Sequence, residues 1–183
     1  MKKFLFVVVL SITLALPVSA AAQASPQTPL RTPDVIFVPT PPEVVAAMLK
    51  AAKVGKGDVV YDLGSGDGRI PIAAVKDFGA DRAVGIDIDP RRIREANQNL
   101  QQSGAGDRVT FLNQDLFTTD LSPATVITLY LLPSLNLRLM PQLKKLKPGT
   151  RIVSHAFDMG DWVPEQTVDV DGRKVYFWTI PKR

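Results

Sequence analysis

The chain has 183 residues, of which 45% are hydrophobic and 22% charged, with 22 Lys and Arg against 18 Asp and Glu. That balance describes a globular domain rather than a disordered or fibrous chain, and a formal charge of +4 is too small to argue for nucleic acid by itself. There is no cysteine and a single histidine, His155, which excludes disulfides, a thiolate nucleophile and multi-histidine metal sites; no metal is expected.

At the amino end, Lys2 and Lys3 precede an apolar run over residues 4–16, broken only by Ser11 and Thr13. Pro17 and the small-x-small triplet Ala22-Gln23-Ala24 follow. This is the pattern of a secretory signal peptide over residues 1–24, with an uncleaved membrane anchor through residues 4–22 as the alternative. An exported chain, periplasmic or secreted, is therefore expected. Residues 25–41 hold Pro26, Pro29, Pro33, Pro39 and Pro41, and read as an extended lead-in. Within it, Val35-Ile36-Phe37-Val38 is the part expected to dock on the body. One domain is expected over residues 42–183, with no internal repeat.

The body alternates helix and strand patterns. A helix over residues 42–53 precedes a short apolar strand over residues 58–63. The glycine turn Gly64-Ser65-Gly66-Asp67-Gly68 follows, then a helix over 69–78 with Ile70, Ala73, Ala74 and Val75 facing inward. A second strand covers 83–88. Asp89-Pro90 supplies an N-cap and a first-turn proline for a helix to about residue 102, with Ile93, Ala96 and Leu100 as its buried stripe. Strands are predicted at 109–112, 126–132 and 151–157. The second of these is almost wholly apolar, hence central and covered on both faces. A helix is predicted at 136–146. Strands at 167–170 and 174–180 flank the hairpin signal Asp171-Gly172. Short strands separated by helices imply a mostly parallel sheet covered on both sides, with an antiparallel terminal hairpin.

The glycine turn follows a strand and opens a helix, which is where such sheets hold ligands. It lacks the Gly-Lys-Ser/Thr of a nucleotide triphosphatase, having Gly68-Arg69-Ile70 instead. Its Gly64-x-Gly66-x-Gly68 spacing is not that of a dinucleotide fold, and Asp67 would repel a pyrophosphate. Asp62, Asp87 and Asp115 fall at three successive strand ends. Such a set suits a ligand that is part cation and part nucleoside, as the sulfonium nucleoside S-adenosylmethionine is. Each aspartate alone has an ordinary reading as a turn or cap residue.

Val60-Tyr61-Asp62-Leu63-Gly64-Ser65-Gly66-Asp67-Gly68-Arg69-Ile70 and Ala83-Val84-Gly85-Ile86-Asp87 resemble the first two motifs of the class I S-adenosylmethionine-dependent methyltransferases. The resemblance runs over residues 35–180. It is nearest in kind to the small protein-lysine methyltransferases related to the mitochondrial enzymes that modify the c-subunit of ATP synthase and the adenine nucleotide translocase. Phe37-Val38-Pro39-Thr40-Pro41, Asp87-x-Asp89-Pro90, Leu131-x-Pro133-Ser134, the string from Pro148 to Ser154, and Trp162 carry that part. It implies a Rossmann-like three-layer α/β sandwich around a mostly parallel seven-stranded sheet.

For the site, the resemblance implies that Asp62, Gly64 and Gly66 hold the methionine part of the cofactor, Asp87 the ribose and Asp115 the adenine. Ser65, Asp67, Ile88 and Leu116 are expected beside them, with Thr40 in a segment folded over the cofactor. Amino-directed relatives carry an Asn-Pro-Pro-Tyr type motif where this chain has Tyr130-Leu131-Leu132-Pro133, which argues against an adenine- or glutamine-directed enzyme. Tyr130 and Ser134 are the candidate catalytic residues, Tyr130 to orient a lysine amine. A core role is expected for His155, a sheet-edge role for Trp162, and a helix-capping or ammonium-binding role for Asp67. Arg91, Arg92 and Arg94 read as a solvated face, and Lys144, Lys145 and Lys147 suit a helix carboxyl end.

The expected partner is a protein substrate, including a membrane or envelope protein, or else a small molecule. Membrane association is open, nucleic acid is not expected, and the chain is expected to be a monomer. A small-molecule O- or N-methyltransferase, or an exported binding protein on the same scaffold, are the alternatives.

Overall fold

A computed structural model describes residues 30–182; the predicted leader and the first part of the lead-in lie outside them. The elements are α1 (Pro42–Ala51), β1 (Val59–Leu63), α2 (Arg69–Lys76), β2 (Arg82–Asp87), α3 (Pro90–Ser103), β3 (Val109–Asn113), β4 (Val126–Leu129), α4 (Pro133–Leu143), β5 (Arg151–His155), β6 (Gln166–Val170) and β7 (Arg173–Thr179).

The seven strands form one sheet in the order β3-β2-β1-β4-β5-β7-β6. The first five are parallel neighbours, and β7 pairs antiparallel with both β5 and β6. The order reverses between β1 and β4, which opens a crevice at the carboxyl ends of the strands. Two apolar clusters cover the faces. Val44, Ile70 and Ala96 bring α1, α2 and α3 to one side, against Val60, Val126 and Val153. Leu139 and Leu143 of α4 pack on the other, against Leu63, Ile127 and Ile152. The period-2 alternation of those strand residues produces the three layers.

Several boundaries differ from expectation. The fourth strand stops at Leu129, three residues early, and α4 begins at Pro133 with extended Leu132 as its N-cap. Proline at the first helical position fixes that start, the same signal that opens α3 at Pro90. The fifth strand stops at His155 because Ala156 takes a left-handed backbone, φ 65°. On α2, Pro71 is buried and Ala73 only half-buried. Of the expected stripe on α3, Ala96 is fully buried while Ile93 and Leu100 pack at its margin. The hairpin turn at Asp171-Gly172 is present, with positive φ at both residues.

Candidate active site

The turn after β1 packs closely against its neighbours because of what it lacks. A Cβ on Gly66 would overlap the ring of Phe37, and one on Gly68 would overlap Phe111; both glycines are left-handed, at φ 51° and 81°. The turn wraps back so that Gly64 and Ser65 donate their amides to the carbonyl of Ile86, at 2.8 and 3.0 Å. Beside it lies a cavity of about 590 Å³ at the carboxyl ends of the strands. Its size falls within the range of small-molecule and cofactor sites.

Asp62, Asp87 and Asp115, expected at three strand tips, all line this one cavity. So do Thr40, Gly64, Ser65 and Asp67, and likewise Ile88, Leu116 and Tyr130. Two expected residues do not. Gly66 is roofed by Phe37, and Ser134 is exposed on the first turn of α4, outside the lining. Because the helix starts at Pro133, Leu131 and Leu135 take the wall position instead.

The three carboxylates are electrostatically unlike. Asp62 is 2% exposed, and burial first of all pushes its carboxyl up to about 7, with Asp87 and Asp67 adding to the rise and the Thr128 hydroxyl opposing it. Asp87 is raised by burial, although it accepts amide N–H bonds from Gly66 and Asp89, both at 2.9 Å, that favour its charge. Asp115 is lowered, chiefly by the Arg31 guanidinium. Asp67 accepts from the side chain of Arg69 at 2.9 Å and from its amide at 3.3 Å, while the N-cap position of α2 is Gly68, without a side-chain cap. Arg69 also donates to the carbonyl of Thr40 at 2.9 Å and ties the lead-in to the glycine turn.

Tyr130, expected to face the methyl acceptor, follows β4, and its ring centroid lies 4.0 Å from that of His155. His155 is buried, and its Nδ1 lies 3.3 Å from Thr40 Oγ1. Burial, with a smaller contribution from Arg173, lowers its pKa, so it is neutral at pH 7. Trp162 lies outside the cavity lining; it packs on Trp178 and accepts the Trp178 indole N–H at its carbonyl, 2.7 Å.

Sequence reasoning expected Thr40 at the site and residues 35–38 of the lead-in docked on the body, but missed Arg31, Asp34 and the contribution of α3. Arg31, Asp34 and Phe37 line the cavity, as do Arg91 and Arg92. Arg92 sits over the Phe37 ring at 4.8 Å and so is not part of a purely solvated face. Of the expected docking run, Phe37 docks but Ile36 is 85% exposed. The proline spacing gave the extended form of this segment, yet nothing local in it names the remote partner of Arg31, Asp115.

A sulfonium nucleoside fits the residues present. The Ser65 hydroxyl is buried without a hydrogen-bond partner, and Ser65 lines the cavity. Buried carboxylates close to one another further suit a ligand carrying positive charge. Comparison with known proteins agrees. Residues 62–166 match the family described as the ANTKMT methyltransferase domain. A protein-lysine N-methyltransferase of Saccharolobus islandicus is 46% identical over 153 residues, 81% of this chain and 95% of that one. The lysine N-methyltransferase of Rattus norvegicus that is named for the ATP synthase c-subunit is 29% identical over 75% of this chain and 55% of its own length. A crystal structure described as an RNA methyltransferase from Salinibacter ruber, in complex with S-adenosyl-L-homocysteine, is 55% identical with a TM-score of 0.78, covering 80% of this chain and 95% of that one. The carboxylate-lined crevice and these matches have one reading: the chain belongs to the ANTKMT methyltransferase family and is an S-adenosylmethionine-dependent methyltransferase.

Proposed function

We propose that the methyl group goes to the side-chain amine of a protein lysine. The observation that carries this reading is the 46% identity to a protein-lysine N-methyltransferase across 95% of that enzyme's length. The acceptor side of the cavity agrees with it. Tyr130, Leu131 and Leu135 line that side, and among the described lining residues there is no side-chain amide of the kind that would hold a planar base or amide.

The cofactor supplies an electrophilic methyl on a sulfonium, and the protein's work is alignment and exclusion of water. Asp62 and the backbone of Gly64 hold the methionine end, Asp87 takes the ribose hydroxyls, and Asp115 takes the adenine amino group. Ser65, Asp67, Ile88 and Leu116 complete the walls, and Gly66 contributes through its amide, which fixes Asp87. A lysine ammonium has a reference pKa near ~10.4 and must lose a proton before it attacks; an apolar wall of Leu131 and Leu135 favours the neutral amine. The Tyr130 hydroxyl orients that amine. Ser134, exposed on α4, is given no role. Export of the chain, by cleavage of residues 1–24 or by an anchor through 4–22, is also proposed, on the charge and apolar pattern of that segment; fractionation of cells expressing the full chain tests it.

The function is tested by incubating the protein with tritiated S-adenosylmethionine and separated membrane, soluble-protein, RNA and metabolite fractions. Label recovered as methyllysine after protein hydrolysis is the expected result. Label confined to RNA or to metabolites overturns the lysine reading.

A further inference from the structure

The lead-in reaches across the cavity to one of its carboxylates. Arg31 Nε lies 2.7 Å from Asp115 Oδ2 and Arg31 Nη2 lies 3.2 Å from Oδ1, a two-pronged grip spanning 84 residues of chain. The third prong, Nη1, holds Asp34 of the lead-in. The guanidinium also lies over the Phe117 ring at 5.4 Å, with Arg138 over the same ring at 3.7 Å. The amide of Phe117 donates to Asp115 Oδ1 at 3.0 Å. A carboxylate has about four lone-pair positions. Arg31 and Phe117 fill both on Oδ1, and Arg31 fills one on Oδ2. Among the described residues one acceptor position remains, on Oδ2 of a residue that lines the cavity.

We infer that Arg31 is a specificity-determining positioning residue for the nucleobase: it locks Asp115 in one orientation, with one free acceptor position for an exocyclic amino group. The inference rests on the proposed reading of Asp115 as the adenine contact, and adds to it the residue that selects the base. Because Arg31 grips a carboxylate of the cavity wall, the lead-in is part of the binding machinery rather than a spacer. A lysine would supply the charge without the fork and would leave the carboxylate free to rotate.

Titration calorimetry of the full chain with S-adenosylhomocysteine and with S-inosylhomocysteine tests this. The inosyl analogue has a carbonyl oxygen where adenine has its amino group, so an ionised, fixed Asp115 rejects it. Wild type is expected to prefer the adenosyl ligand. Arg31→Met is expected to weaken that ligand roughly tenfold, as loss of a charged hydrogen-bond partner does, while changing inosyl binding less than twofold. Arg31→Lys falls between. Asp115→Ala separates the two ideas. If it leaves adenosyl affinity unchanged, the reading of Asp115 fails, and the inference with it. If Asp115→Ala weakens binding but Arg31→Met does not, or weakens both ligands equally, the role of Arg31 is overturned and the Asp115 reading stands.

Discussion

Thr128 Oγ1 donates to Asp62 Oδ1 at 2.6 Å, and the two residues are register partners on the neighbouring strands β1 and β4. The bond spans the point where strand order reverses, so the hydroxyl fixes a buried carboxyl at the base of the crevice. Thr128 stabilises the ionised form, but burial outweighs it and the group titrates at about 7. A carboxyl held this way is poised to ionise when a cation arrives.

Ligand binding should therefore release protons. The ammonium of S-adenosylhomocysteine favours ionised Asp62, so between about pH 5 and 7 each binding event is expected to expel part of a proton from this site. Calorimetry in two buffers of different ionisation enthalpy reads the release directly. Affinity should rise with pH up to about 7 and then level off. Asp62→Asn should remove the pH dependence along with most of the binding. Zero proton release at about pH 6 would rule out this role.

The same shift makes a stability prediction. Asp62 has a folded-state pKa above its unfolded value near 3.8, so the folded chain holds more protons between those two values. Stability then falls as pH rises from about 4 to 7 and is flat above. Asp62→Asn mimics the protonated form. Its advantage over wild type, measured by urea unfolding of the ligand-free protein, should be near zero at about pH 4 and largest at about pH 7 and above.

Asp87, proposed to take the ribose, also carries structure. It accepts the amides of Gly66 and Asp89, thereby holding the glycine turn against the start of α3. Asp87→Ala is expected to abolish measurable S-adenosylhomocysteine binding and to cost about 1–3 kcal/mol of stability through two orphaned amides. Asp87→Asn keeps one acceptor oxygen, so it should recover part of the stability, read in a urea melt, without recovering the affinity.

Gly66 and Phe37 form a second joint between lead-in and body. A methyl at position 66 meets the Phe37 ring and also forces an alanine into a left-handed backbone. Gly66→Ala should cost about 1–3 kcal/mol. Adding Phe37→Ala to it should restore the steric part but not the backbone part. Hydrogen exchange over residues 35–40 should rise in the single variant. If the double variant is as destabilised as the sum of the two single ones, the contact is not what Gly66 preserves.

The layers and the three carboxylates were legible in the sequence because each rests on a local signal. Apolar strands, Asp89-Pro90 and the Asp171-Gly172 turn all act within a few residues. Asp62, Asp87 and Asp115 could be brought together because parallel strands in register place their tips side by side. Two kinds of feature were not legible. The start of α4 at Pro133 was hidden by the apolar run over residues 126–132, which is continuous with β4 although the strand ends at Leu129. Remote partners such as Arg31 with Asp115, or Thr40 with His155, join segments 84 and 115 residues apart and leave no periodic trace.

That second pair supports a prediction about the acceptor end. Neutral His155 shares a hydrogen bond with the Thr40 hydroxyl through Nδ1, and its ring lies tilted against that of Tyr130, so it links the lead-in to the residue assigned to orient the amine. His155→Phe keeps an aromatic ring against Tyr130 and removes the hydrogen-bond partner of Thr40, whereas His155→Asn places an amide near the position of Nδ1. Methyl transfer to the labelled acceptor protein should fall roughly tenfold in the Phe variant and recover in part in the Asn variant, with S-adenosylhomocysteine affinity within about twofold of wild type for both. Because the folded-state pKa of His155 lies below the ordinary value near 6.5, the unfolded chain binds more protons there, and stability is lost as pH falls below 6.5. His155→Phe should lose less stability over that acid interval. If both variants transfer methyl at the wild-type rate while Tyr130→Phe does not, Tyr130 acts without help from His155, and the link between lead-in and acceptor has no catalytic consequence.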